Sequence, residues 1–276
     1  MTETALTAVL RRDRVIVCAS LFALIAIAWA YVLWLIPTMS MGGMEMLDMR
    51  MIANPFDVAM VPSLQPWSAA EFTFTFVMWV IMMVGMMTPS VAPMVLIYAR
   101  VGRQAELQGK PLAATGYFAG GYLTAWAVFA LVATIGQWLL ERASLVTPML
   151  ESASNFIGGL VLVAAGLYQW TPVKDACLKH CQAPLHFIQQ HGGFRRDGLG
   201  SLSIGFRHGL YCIGCCWALM ALLFVGGIMN PLWIAGIAVF VLAEKVIPSG
   251  RVLSRICGVV LVAAGIWLIA TGHSMP

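Results

Sequence analysis

The sequence predicts an all-α fold, a polytopic transmembrane helical bundle of about seven spans. It forms a single membrane domain (residues 1–276) with the N-terminus inside and the C-terminus outside. Three observations carry this. Of the 276 residues, 61% are hydrophobic and 10% charged, and the mean hydropathy is +0.86. A soluble domain is about 25% charged, so this chain could not cover a water-facing surface with polar groups. The apolar residues also fall into runs near the ~20 residues a helix needs to cross hydrocarbon, without the period-2 alternation of an outer-membrane barrel. Finally, of the 16 Lys and Arg only Arg50 and Arg142 fall on the outer side of this topology, as the positive-inside rule requires. The formal net charge of +4 is too small to imply a polyanionic partner. Nucleic-acid binding, a secreted disulfide scaffold and disorder are excluded.

Taken in order, the first span runs from Val15 to Ile36 behind Arg11, Arg12 and Arg14. It ends in Leu35-Ile36-Pro37-Thr38 without a small-x-small cleavage site, so it reads as an uncleaved signal anchor. An outer loop, 37–71, precedes the second span, Phe72 to Tyr98. Pro89 and Pro93 lack the N–H groups that the carbonyls of Gly85 and Pro89 would bond, which predicts a kink. The third and fourth spans are Leu112 to Leu140 and Ala153 to Trp170, followed by an inner loop, 171–207. The fifth, His208 to Met229, ends at the turn signal Asn230-Pro231. The sixth, Leu232 to Ile247, is short and places Glu244 and Lys245 near the membrane edge. The seventh is Ile256 to Thr271. The string Val-Leu-Val-Ala-Ala-Gly occurs twice, at 161–166 and 260–265, and hints that these two helices are related. The expected location is the bacterial cytoplasmic (inner) membrane, with lipid as the first partner.

Methionine is concentrated on the outer side. Of the 18 Met, 13 lie between Met39 and Met94. The outer loop carries Met39, Met41, Met44, Met46, Met49 and Met51, with Glu45 and Asp48 to attract a cation. Thioether sulfur is soft and uncharged, so it suits Cu(I) and binds hard ions poorly. A flexible, amphipathic loop lying on the bilayer would explain the same residues without a metal. Inside the second span, residues four apart share a face: Met78, Met82 and Met86 form one row, and Met83 and Met87 its neighbour.

Cysteine is concentrated on the inner side. Cys18 and Cys257 stand singly in apolar spans and read as packing residues. The other five of the seven lie in Cys177-Leu-Lys-His180-Cys181 and in Tyr211-Cys212-Ile-Gly-Cys215-Cys216-Trp217. The cytoplasm keeps thiols reduced, so metal or redox chemistry is the usual reason for such clusters. His208, Cys212, Cys216 and Met220 are successive i+4 neighbours, a stripe of ligating side chains on one helix face, with Cys215 beside it. Lys245 could act on a neighbouring thiol, and Glu244 could serve as ligand or counter-ion, or the two could be an ordinary membrane-edge pair. A structural zinc site built on Cys177, Cys181 and two of the remaining thiols is the plainer alternative. His186, His191 and His273 have no comparable companions and read as surface residues.

The strings Met-Met-Thr-Pro-Ser at 86–90, Ala-Cys-Leu-Lys-His-Cys at 176–181, His-Gly-Leu-Tyr-Cys-Ile-Gly-Cys-Cys-Trp-Ala-Leu-Met at 208–220 and Glu244-Lys245 resemble a bacterial family of predicted metal-binding integral membrane proteins. The resemblance covers the chain from about Phe72 onward and implies a multi-span protein with a metal site. The Met-rich loop at 39–51 is not part of it.

The expected ligands are therefore Met41, Met44, Met46, Met82, Met83, Met86 and Met87 toward the outside, and Cys177, His180, Cys181, His208, Cys212, Cys215 and Cys216 inside. No Walker sequence, phosphorylation motif or nucleophile elbow is present, so an ATP-driven pump and an intramembrane hydrolase are excluded. The function expected is handling of a soft ion, copper(I) first and zinc second, from outer Met to inner Cys and His. A soluble metal chaperone or metal-accepting protein would be the partner, and no enzymatic role is expected. The rival is a thiol–disulfide relay through Cys212-x-x-Cys215 and Cys177/Cys181, which lacks an outer Cys to exchange with. A membrane assembly factor with a structural zinc is the third reading.

Overall fold

The structure is a computed structural model that describes residues 15–35, 67–143, 155–228 and 230–272. Among these every regular element is an α-helix. In chain order they are α1 (Val15–Leu35), α2 (Ala69–Leu107), α3 (Thr115–Arg142), α4 (Asn155–Tyr168), α5 (Pro172–Gln182), α6 (Pro184–Gln190), α7 (Gly198–Ala221), α8 (Leu223–Gly226), α9 (Pro231–Val246) and α10 (Gly250–Gly272). Their starts follow local chemistry. Ser68 and Glu71 form a capping box on α2. Thr171 caps α5 ahead of Pro172, and Asp197 caps α7. At the turn signalled by Asn230-Pro231, the Asn230 side chain accepts from the N–H groups of Leu232 and Trp233. Each side-chain cap satisfies backbone donors that have no partner within the helix.

Among the described residues five helices are long and apolar enough to cross a membrane: α1, α2, α3, α7 continued through α8, and α10; the α4–α5 pair, bent by 64°, makes a sixth if counted as one span. Helix α9 has 16 residues, about 24 Å at 1.5 Å per residue, against a hydrocarbon core of about 30 Å. Helix α2, by contrast, has 39 residues and is assigned as one helix through Pro89 and Pro93. Side chains such as Phe22 (72% exposed) and Trp267 (67%) face outward, apolar surface of the kind a bilayer solvates.

The core lies where α2, α3, α7 and α9 meet, with α5 laid against α7 and with α4 and α10 paired beside them. Two close approaches set this arrangement. A Cβ at Gly205 would run into the Phe118 carbonyl, and one at Gly121 into the Leu202 carbonyl, so α3 and α7 pack backbone to backbone; Gly198 against Tyr117 and Gly209 against Ala125 show that the two run parallel. The duplicated Val-Leu-Val-Ala-Ala-Gly strings belong to α4 and α10. Those helices pack antiparallel, with a Cβ at Gly159 lying 2.8 Å from the Gly265 carbonyl and one at Gly265 lying 2.6 Å from the Gly159 carbonyl. Small residues at helix contacts are how apolar helices approach in lipid, where burial from water supplies no drive.

One expectation needs correcting. The segment 171–207, read as a connecting loop, is mostly helical, since it contains α5, α6 and the first turns of α7. Its Thr171 and Asp197 caps were visible, but its low hydropathy masked the helices. Glu244 and Lys245, expected near the membrane edge, are buried within the protein, 1% and 9% exposed.

Candidate metal centre

Helix α2 turns both Met rows inward. Met78, Met82, Met83, Met86 and Met87 are all 3% exposed or less, although lipid would solvate thioethers at no cost. The rows end at Thr88-Pro89-Ser90. There Ser90 Oγ donates to the Met87 carbonyl at 2.8 Å, and Tyr122 Oη on α3 donates to the same carbonyl at 3.2 Å. Tyr122 Oη also lies 3.1 Å from Cys212 Sγ. Lys245 Nζ on α9 closes the circuit, 2.7 Å from Cys212 Sγ and 3.1 Å from Ser90 Oγ. Four helices thus converge on the Cys212 sulfur at the inner end of the Met rows.

The predicted stripe on α7 is buried throughout, with His208 4%, Cys212 1%, Cys216 0% and Met220 1% exposed. Cys215 and Cys216 donate their S–H groups to the Cys212 carbonyl at 3.0 and 2.9 Å. Gly214 has a specific reason to be glycine, because a Cβ there would lie 2.7 Å from Cys177 Sγ on α5. Tyr168 donates to the Gly214 carbonyl. Cys181 Sγ stands 4.0 Å from Cys215 Sγ. Two sulfurs bound to one ion at about 2.3 Å lie roughly 3.8 Å apart at a tetrahedral angle and 4.6 Å apart when linear, so this pair already has the spacing to share a soft ion.

The full expected set does not close around one point. Among the described residues no three His, Cys, Asp or Glu side chains are grouped to hold a metal ion. The His180 ring packs tilted against Tyr211, with ring centres 4.3 Å apart at 44°, and lies edge-on to His191. Burial, then His191 and His186, hold the His180 imidazole below its ordinary pKa. His208 lies among Phe118, Tyr122 and Phe187, and its Nδ1 is buried without a hydrogen-bond partner. Met41, Met44 and Met46 lie outside the described residues. Glu244 is a counter-ion: its carboxylate receives Lys174 Nζ at 2.7 Å and Ser254 Oγ at 2.6 Å.

Sequence reasoning missed Tyr122, Ser90 and Lys174. Lys174 sat in a segment read as loop, where a lysine signals nothing. Tyr122 follows Gly121, whose missing Cβ permits the tight α3–α7 contact that brings its hydroxyl to Cys212.

Residues 76–268 match the family model described as PpoB2, copper chaperone. The chain belongs to that copper chaperone family. The matched region takes in the Met rows, both cysteine groups and Lys245, and begins after the Met-rich segment 39–51. No curated protein and no solved structure matches the chain. Membership makes copper handling the functional class, consistent with the metal-binding character that the sequence motifs implied, and the apolar helices make this a membrane protein.

Proposed function

We propose that the chain is a seven-span protein of the bacterial inner membrane that moves Cu(I) from outer thioethers to inner thiolates. In this reading α4 and α9 complete the span count. The parallel packing of α3 and α7 supports it, since two parallel helices need a crossing between them and α4 is positioned to supply one. Met41, Met44 and Met46 capture the ion, and Met82, Met83, Met86 and Met87 offer weak, repeated thioether sites along α2. Cys212, Cys215 and Cys216 with Cys177 and Cys181 receive it, because thiolates are softer and bind more tightly. A soluble metal-accepting protein takes it from there. Direction follows from this gradient in ligand strength.

The observation that carries the proposal is that the buried Met rows and the buried thiols meet at one tyrosine. The Met rows run to the Met87 carbonyl, and one tyrosine hydroxyl bonds both that carbonyl and the first thiol. Lys245 beside Cys212 supplies the positive charge that favours a thiolate. The chemical action of the site is ligand exchange: an incoming Cu(I) takes the Cys212 sulfur from its Lys245 contact and passes to the Cys181–Cys215 pair, whose thiols release their protons to water as they bind.

Replacing Met82, Met83, Met86 and Met87 together by Leu tests this. Such near-isosteric changes cost less than about 1.5 kcal/mol each, and size-exclusion of the purified variant checks that four together leave the protein assembled. Cellular copper and copper sensitivity are expected to change. A folded four-Leu variant with wild-type copper handling would end the pathway proposal.

A further inference from the structure

The corner between α5 and α6 holds chemistry that the sulfur pathway does not use. Three of the five histidines lie there, His180, His186 and His191. His180 and His191 are 11 positions apart, which in an uninterrupted helix would separate them by about 16.5 Å along the axis. Instead the chain breaks at Ala183, with φ −117° and ψ 70°, and Pro184 starts the next helix. The break folds α6 back so that the His180 and His191 rings come to 6.3 Å, centre to centre, at 78°.

Each of the two rings is held by a specific contact. His191 Nδ1 bonds the Phe187 carbonyl at 2.8 Å. That fixes the tautomer and leaves Nε2 as the free lone pair, the usual arrangement of a metal-bound imidazole. His180 is set against the Tyr211 ring. Both histidines are only partly buried, so a hydrated ion can reach them. Imidazoles ligating one ion at about 2.0–2.1 Å put their ring centres roughly 5–6 Å apart, a spacing that a small side-chain rotation reaches.

We propose that His180 and His191 form a second, imidazole-only metal site at the α5–α6 corner, taking a borderline divalent cation such as Zn²⁺ or Cu²⁺. Imidazole suits that class, whereas thioether and thiolate select Cu(I). Two protein ligands leave the remaining positions to water, so the site is open and exchanges its ion readily. It is distinct from the thiol cluster, although His180 adjoins Cys181 in sequence, and it stands whether or not copper crosses the membrane.

The experiment titrates Co²⁺ into the full-length chain in detergent, under reducing anaerobic conditions, for wild type and for His191→Phe. Phenylalanine keeps the ring packing against Phe187, and thermal unfolding confirms that the variant is folded. Wild type is expected to bind one more Co²⁺ per chain than the variant, with d–d absorption but no thiolate-to-cobalt charge-transfer band for that ion. His180→Phe, which removes the other ligand, should lose the same ion. Equal stoichiometry in wild type and both folded variants would overturn the site, as would a thiolate charge-transfer band on the ion that is lost.

Discussion

Lys174→Met is the most informative single perturbation of the thiol site, although Lys174 touches no sulfur. The residue lies on α5 seven positions before Cys181, on the same helix face. Its ammonium is 2.7 Å from Glu244, with side-chain exposures of 0% and 1%, and it also donates to Gln169. This ion pair ties α5 to α9 and so holds Cys177 and Cys181 against α7. Deleting the ammonium leaves the Glu244 carboxylate buried with Ser254 as its remaining side-chain donor. Breaking a buried pair from one side costs about 3–5 kcal/mol. At about 1.4 kcal/mol per factor of ten, release of α5 should become favoured by roughly a hundredfold or more. The assay is the rate of Cys181 alkylation in detergent, read by peptide mass spectrometry, beside a thermal unfolding curve. Lys174→Met should label Cys181 faster and unfold at lower temperature. Replacing both partners, Lys174→Met with Glu244→Met, should recover much of the loss, because an apolar pair of similar volume has no stranded charge. Wild-type labelling and wild-type unfolding in the single variant would refute the reasoning.

Other consequences follow from the same contacts. Tyr122→Phe removes the hydroxyl that bonds Cys212 and the Met87 carbonyl. The loss of these buried bonds should cost about 1–3 kcal/mol and weaken Cu(I) retention in chelator competition; unchanged affinity would separate Tyr122 from the site. Gly205→Ala places a Cβ against the Phe118 carbonyl, so α3 and α7 must part and folded yield should fall sharply, as size-exclusion profiles would show. Cys181→Ser removes one sulfur of the 4.0 Å pair and should lower Cu(I) stoichiometry without lowering thermal stability. Equal copper in that variant would leave the pair without a role.

Much of this was legible in the sequence because its causes are local. Periods of four placed His208, Cys212, Cys216 and Met220 on one face of α7, and all four are buried there. Hydrophobic runs located α1, α2, α3 and α10. What the sequence could not show depends on tertiary placement. Lys174 and Glu244 are 70 positions apart, and nothing in either neighbourhood says that they meet. His191 reads as a surface residue until the break at Ala183 is known to fold α6 back on α5. Cys215 and Cys216 stood out in the sequence only as candidate ligands, and that their thiols bond the Cys212 carbonyl is a property of helix backbone geometry rather than of residue type.

The central claim is that copper is held by the inner thiols. Metal content of the detergent-purified protein, measured by mass spectrometry under anaerobic reducing conditions, tests it most directly, comparing wild type with a Cys212→Ser, Cys215→Ser, Cys216→Ser triple variant. Copper bound to wild type and lost from a folded triple variant is the predicted result. One zinc per chain, or copper retained by the variant, would contradict it.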